Sequence, residues 1–235
     1  MDITLNNVSV NFGEKVVLKD FSAVFEEGKI TCLLGVSGVG KTTILNAVCG
    51  MVDYSGEVNK DEDVVSYIFQ NERLIPSISV YKNLDLILKS KVKSKSERKI
   101  MVENMLKSVE LLEEKNSFPT KLSGGMAQRV AIARGFLFPS KILLMDEAFK
   151  GLDTALKARL IGFFISLWEK DKRTVVFVTH SIDEALLIAH RIIVLKDFPA
   201  QIVLDEKIDA PLLNRHLTDN NFDFIRKKLL DTLVK

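Results

Sequence analysis

A short, mostly apolar run, Ile30-Thr-Cys-Leu-Leu34, stops at a glycine, and Gly35-Val-Ser-Gly-Val-Gly-Lys-Thr-Thr43 leads from it into a helical pattern that ends at Gly50. Few folds accommodate a strand, a glycine-rich loop and a helix in immediate succession. The segment fits G-x-x-x-x-G-K-[ST]. Gly35, Gly38 and Gly40 let backbone N–H groups turn inward and approach an anion closely. Val36, Ser37, Val39 and Thr43 fill the rest of the loop and the start of the helix. That helix points the positive end of its dipole at the same anion. Lys41 is placed to reach β- and γ-phosphates, and the Thr42 hydroxyl to ligate Mg²⁺. The loop therefore predicts a bound nucleoside triphosphate.

The rest of the chain supplies a matching framework. Residues 3–10 and 17–25 alternate like strands around a turn at Gly13, and 64–69 reads as a buried strand. Further apolar runs at 142–145, 174–179 and 191–195 are too short for helices, and helical segments near 123–136, 154–170 and 182–190 lie between them. Helices alternating with continuously apolar strands imply a mainly parallel sheet covered on both faces. Residues 76–119 break the pattern and are helical throughout, which reads as an inserted lobe. Within it, Lys89, Lys91, Lys93, Lys95, Arg98 and Lys99 form a basic run. This is a solvated face or a contact for anionic lipid headgroups. An amphipathic segment at 219–234 closes the chain.

Bulk properties exclude several classes. The length of 235 residues suits one substantial domain, and a net charge of +2 gives no electrostatic footprint for nucleic acid. No run approaches the roughly 18 apolar residues of a membrane span, and the N-terminus has no basic leader before an apolar core. The expectation is a protein kept in the cytosol, with any membrane role carried by separate chains. Cys32 and Cys49 read as reduced, buried thiols whose spacing fits no metal motif.

Two further motifs carry chemistry. Ile142-Leu-Leu-Met-Asp-Glu147 is a buried strand ending in two acids. After a phosphate loop, Asp146 sits where a Mg²⁺ carboxylate belongs, and Glu147 could accept a proton from an attacking water. Leu122-Ser-Gly-Gly-Met126 opens a helix with Ser123 as N-cap, and Gly124 and Gly125 expose backbone N–H groups. It is a second anion-binding helix start. One nucleotide rarely needs two such cradles from one chain, so a head-to-tail dimer would let each serve a different subunit.

On these motifs, in this order, the chain resembles an ATP-binding-cassette ATPase, the nucleotide-binding subunit of a membrane transporter, to about residue 204. The resemblance implies one ATPase domain over 1–235. It would have an α/β phosphate-loop NTPase (RecA-like) core, an antiparallel β subdomain, an inserted helical subdomain at about 76–120 and a C-terminal extension at about 206–235. It implies ATP and Mg²⁺ as ligands, with Thr42, Gln70 and Asp146 at the metal. Phe12 matches the aromatic residue that stacks on adenine. Gln70 falls at the glutamine loop, which touches the attacking water and senses the membrane subunit. His180 matches the switch histidine at the γ-phosphate, whereas His190 and His216 match no such role. Ser123, Gly124, Gly125 and Met126 match the signature that acts on the partner's ATP, and Asp153 the loop that crosses the dimer interface. Met126 departs from the usual glutamine, and Lys150 from a small residue. Lys41, Asp146, Glu147 and His180 together imply an active ATPase.

Phe118-Pro-Thr-Lys-Leu-Ser-Gly-Gly, Gln70-Asn-Glu-Arg-Leu-Ile-Pro76 and Thr179-His-Ser-Ile-Asp-Glu-Ala185 resemble prokaryotic importers of the nitrate, sulfonate and taurine group, which also includes transporters of vitamin precursors. The partners implied are a second copy, transmembrane permease subunits and, indirectly, a solute-binding protein, with the chain peripheral on the cytoplasmic face of the membrane. An exporter or lipoprotein-release ATPase, a soluble cassette protein acting on DNA or the ribosome, and a small-molecule phosphotransferase remain alternatives.

Overall fold

The computed structural model describes residues 1–61, 64–213, 215, 217 and 220–234. The expected position of His216 lies outside these. Two sheets organise the chain. The larger has six strands in the order β5 (Ser66–Ile68), β6 (Ile142–Asp146), β7 (Thr174–Thr179), β3 (Ile30–Leu34), β8 (Arg191–Lys196) and β9 (Gln201–Lys207). All neighbours are parallel except β8 and β9, which pair antiparallel. The smaller, antiparallel sheet has the order β2 (Lys15–Phe25), β1 (Ile3–Phe12) and β4 (Ser55–Asn59).

The parallel strands show why their sequences carry no polar alternation. Along β6, Leu143 and Met145 enter one core, and Ile142 and Leu144 the other. Along β7 the division is Val175 and Phe177 against Val176 and Val178, and along β8 Ile192 and Val194 against Ile193 and Leu195. Successive side chains point to opposite faces, so a strand covered on both must be apolar throughout. The first core is closed by α5 (Thr154–Asp171), α6 (Ile182–Ile188) and α7 (Asn220–Val234), through residues such as Phe164, Leu186 and Phe222. The second lies between the central sheet, α1 (Lys41–Cys49) and the antiparallel sheet.

In β1 the inward residues are Ile3, Leu5, Val8 and Val10, and the change of parity coincides with a register shift between Leu5 and Val8. Asn7, inside the bulge, has φ 51°. A bulge admits one extra residue and re-aims the strand, which keeps the apolar set on one face.

A third apolar cluster joins α2 (Val80–Leu88), α3 (Lys95–Ser108) and α4 (Gly124–Leu137) through Leu84, Leu88, Val102, Leu106 and Val130. The basic run is mostly solvated, with exposed lysines. Arg98 is the exception: it turns inward, donating to Asp85 Oδ1 at 2.7 Å and to the Val92 carbonyl at 2.9 Å. No helix among the described residues is long and apolar enough to cross a membrane.

Two strands were not legible. β4 reads exposed at four of five positions and β9 at five of seven. Both lie at sheet edges, where the partner's hydrogen bonds rather than an apolar pattern define the strand. β9 runs to Lys207, so the C-terminal extension expected at about 206 starts only after an integral strand. The buried strand expected at 64–69 is shorter, Ser66–Ile68.

Candidate functional site: a phosphate loop against two acids

At the end of β3 the chain turns under tight constraint. A Cβ on Gly35 would lie 2.6 Å from the Leu195 carbonyl oxygen, so only glycine fits. Gly40, with φ 110°, starts α1 without a side-chain cap. In α2, α3, α4, α5 and α6 the caps are Ser79, Ser94, Ser123, Asp153 and Ser181, each accepting a backbone N–H. The first-turn donors of α1 have no such acceptor and are free for an anion. Lys41 folds back over the loop, its Nζ donating to the carbonyls of Gly35 and Val36, both at 2.8 Å. Burial lowers the ammonium's pKa, and the nearby charges of Glu147 and Asp146 oppose that fall.

The central sheet brings β6 beside this loop. The Thr42 hydroxyl donates to the Asp146 carboxylate, 3.1 Å from Oδ1 and 3.0 Å from Oδ2. Burial raises the Asp146 carboxyl's pKa, and the Thr42 hydrogen bond works against it. A hydroxyl and one carboxylate are the hard oxygen donors that suit Mg²⁺ when phosphates and water complete the shell. The residues present therefore fit that ion.

Glu147 follows directly, with φ 43° and its N–H donating to the Val178 carbonyl at 3.0 Å. A non-glycine residue in the left-handed region is strained and is commonly held so at functional sites. Its side chain is buried, with Oε1 3.5 Å from His180 Nδ1 and Oε2 2.5 Å from Lys150 Nζ. The Lys150 approach is an ion pair, and among the described residues no hydrogen-bond donor of ideal geometry meets Oε2. Burial raises the carboxyl's pKa, but Lys150 and then His180 outweigh it, and the net shift is downward.

The other expected residues fall into place unevenly. Phe12, at the end of β1, is 55% exposed, so its ring lies outside the core. Gln70 is exposed just beyond β5, whose Ile68 pairs with Met145 on β6. Ser123 and Gly124 are exposed, and Ser123 accepts the Met126 N–H of its own helix at 3.3 Å. Gly125 is buried: a Cβ there would lie 2.6 Å from Leu156 Cδ2. Met126 is partly buried and packs into the helical cluster. Asp153 is exposed and caps α5, accepting the Leu156 N–H at 2.9 Å. His190 is structural, its Nδ1 accepting the Ile30 N–H at 3.0 Å beside Trp168. Cys32 is buried and Cys49 half-buried, both as free thiols.

Sequence reasoning missed three supports. Arg134, on α4, donates to the carbonyls of Glu72 at 2.7 Å and Arg73 at 2.8 Å, tying the loop after Gln70 to the helix that Ser123 opens. Buried Gln128, also on α4, donates to the Ala148 carbonyl directly after Glu147. Lys150 reaches Glu147 through a turn closed by Lys150 N–H to Glu147 O at 3.0 Å. Only the placement of Arg134 and Gln128 on the helix after Leu122-Ser-Gly-Gly-Met126 hinted at any of these.

Comparison with known proteins agrees with this geometry. The sequence model of the ABC transporter family matches residues 18–150, more than half of the chain. The aliphatic sulfonates import ATP-binding protein of Bacillus cereus is 36% identical over 98% of this chain and 95% of its own length. Its counterpart in Pseudomonas savastanoi is 37% identical over 98% of this chain and 83% of its own length. Among solved structures, the dimeric ATP-binding cassette MJ0796, in a post-hydrolysis state bound to ADP and Pi, superposes with a TM-score of 0.77 at 31% identity, covering 89% of this chain and 100% of that one. A cassette from Clostridium perfringens, part of an ABC transporter complex, shares the fold with a TM-score of 0.80 at 22% identity, over 97% of this chain and 92% of its own. With a family model matched over more than half of its length and relatives similar over nearly all of it, the chain belongs to the ABC transporter family and is an ATP-binding, ATP-hydrolysing member of it.

Proposed function

We propose that this chain is the ATPase subunit of a prokaryotic importer of a small solute in the nitrate, sulfonate and taurine group. The observation that carries the reading is the Thr42 hydroxyl on the Asp146 carboxylate beneath Lys41, with Glu147 held next to it at φ 43°. The relatives named for aliphatic sulfonate import, similar over nearly the full chain, support the choice of solute class.

Residues 35–43 cradle the phosphates of ATP, Lys41 neutralises the β- and γ-phosphates, and Phe12 offers an exposed ring to adenine. Thr42, Asp146 and Gln70 would hold Mg²⁺, which when bound supplies charge neutralisation at the phosphates. Glu147 orients the attacking water and accepts its proton, while His180 faces the γ-phosphate. Ser123, Gly124 and Gly125 act on ATP held by a second copy, and Asp153 lies at the same interface. The solved dimers of a related ATP-binding cassette support that arrangement. ATP favours the closed dimer, and that preference drives transmembrane permease subunits through the loop at Gln70 and the helical lobe at about 76–120. The subunit sits on the cytoplasmic face of the membrane, and a solute-binding protein delivers the cargo.

The substitution Glu147→Gln tests the core of this reading. It preserves ATP binding and traps an ATP-bound dimer with almost no turnover, measured by light scattering and phosphate release. Undiminished hydrolysis would overturn the assignment of the base. Purifying the intact complex tests import: a co-purifying extracytoplasmic solute-binding protein is expected, and ATP-driven efflux from vesicles would overturn it.

A further inference from the structure

Glu147 has two oxygens, and both face cationic or ionisable groups of its own chain. His180 Nδ1 stands 3.5 Å from Oε1, and Lys150 Nζ 2.5 Å from Oε2. The carboxylate is 9% exposed and the lysine side chain 42% exposed, so the anchored partner is the base and the movable one is the lysine. The backbone at φ 43° fixes the direction in which the Glu147 side chain leaves the chain. The Lys150 backbone is tied to Glu147 by its N–H, 3.0 Å from the Glu147 carbonyl, but its long side chain is free to move. Lys150 begins the turn through Gly151, at φ 75°, to Asp153, whose side chain caps α5. Anything that shifts this turn moves Lys150 relative to the base.

We propose that Lys150 is a positioning residue that gates hydrolysis: its ammonium holds the Glu147 carboxylate in the separate subunit and withdraws when the turn at 150–153 docks against a second copy. The inference rests on Glu147 being the base. A carboxylate held against an ammonium is oriented by the cation rather than by an attacking water. The long lysine stem is half-exposed and can swing its ammonium into solvent while the buried carboxylate stays in place. The pair therefore suppresses turnover in the separate subunit without abolishing it.

The test uses the full chain with Lys150→Met, Lys150→Arg, Glu147→Gln and the Lys150→Met/Glu147→Gln double variant, assayed for ATPase kcat and KM, nucleotide affinity and Tm. At protein concentrations where the separate subunit predominates, removing the charge with Lys150→Met should raise kcat about two- to fivefold, the rate equivalent of releasing an ion pair with one half-exposed partner. KM and nucleotide affinity should stay at wild-type values, and Tm should stay well above the assay temperature. Lys150→Arg, which keeps the charge, should turn over at the wild-type rate. In the Glu147→Gln background, Lys150→Met should change nothing. The gate is overturned if Lys150→Met leaves kcat unchanged or lowers it, if Lys150→Arg is as fast as Lys150→Met, or if Lys150→Met still accelerates the Glu147→Gln protein. Wild-type turnover by Glu147→Gln alone overturns the base assignment and the gate with it. A gate that fails while Glu147→Gln is inactive leaves the base assignment standing.

Discussion

Gly125 can be required for two separable reasons, and the structure lets them be weighed. It lies in the first turn of α4, buried, where an added Cβ would sit 2.6 Å from Leu156 Cδ2 and 2.7 Å from Cδ1. Its helical backbone costs an alanine nothing, and alanine gains up to about 1 kcal/mol over glycine in a helix interior. Against that, overpacking costs about 1–3 kcal/mol, toward the lower end when the crowded atoms end a flexible side chain. The net effect of Gly125→Ala is a loss of up to about 2 kcal/mol, a Tm decrease of up to about 8 °C for a chain of this size. Leu156→Ala alone, at a partly buried site, costs about 1–2 kcal/mol. If packing against Leu156 is the reason for the glycine, the double variant is less destabilised than the sum by at least about 1 kcal/mol, because residues in contact couple. Urea denaturation and calorimetry on the four proteins measure this. Strict additivity would refute the packing argument. Turnover in the double variant reads the other reason: stability regained without ATPase activity means that the glycine also serves the partner's nucleotide.

Two other outcomes follow from the geometry. His190 is held neutral by burial, its pKa depressed from 6.5 to about 4, so the unfolded chain binds more protons between those values. Stability from this group is complete above pH 6.5 and is lost as pH falls toward 4, by roughly 2–3 kcal/mol. His190→Asn, whose carbonyl can accept the Ile30 N–H, should flatten that part of the stability profile, and an unchanged slope in urea titrations would contradict the assignment. Arg134→Met removes both donors to the Glu72 and Arg73 carbonyls while keeping an apolar stem. Amide hydrogen exchange across 70–75 should quicken about tenfold or more, the equivalent of roughly 1.4 kcal/mol of local stability, and unchanged exchange there would show that the loop is anchored otherwise.

The parallel strands were legible because burial on both faces leaves no alternative composition. Ile30–Leu34 and Thr174–Thr179 have the bounds that their apolar runs predict. The cap Ser123 was legible because a short polar side chain before a helix has a local purpose, whereas the cap Asp153 was not read from the sequence. Edge strands β4 and β9 were not, since they are defined by a neighbour's backbone. At Gly56 in β4 the neighbour comes so close that a Cβ would lie 2.3 Å from the Asn7 carbonyl oxygen.

The sequence by itself determined the chemistry: a loop that only glycines can form, a lysine and a threonine at its end, two acids closing an apolar strand, and a histidine after the next. Those are local properties, written in consecutive residues and their spacing. Tertiary structure decided how the groups engage one another. Thr42 meets Asp146, 104 positions along the chain, because parallel strands align their carboxyl ends beside one loop. Arg134 reaches back to Glu72 and Arg73 because the helical cluster packs α4 against the sheet edge. Glu147 meets Lys150 because a strained backbone and a turn closed by the Lys150 N–H on the Glu147 carbonyl bend four residues into contact. Sequence records which groups are available, but contacts between distant groups depend on the packing of the whole chain, and no short window of residues contains that information.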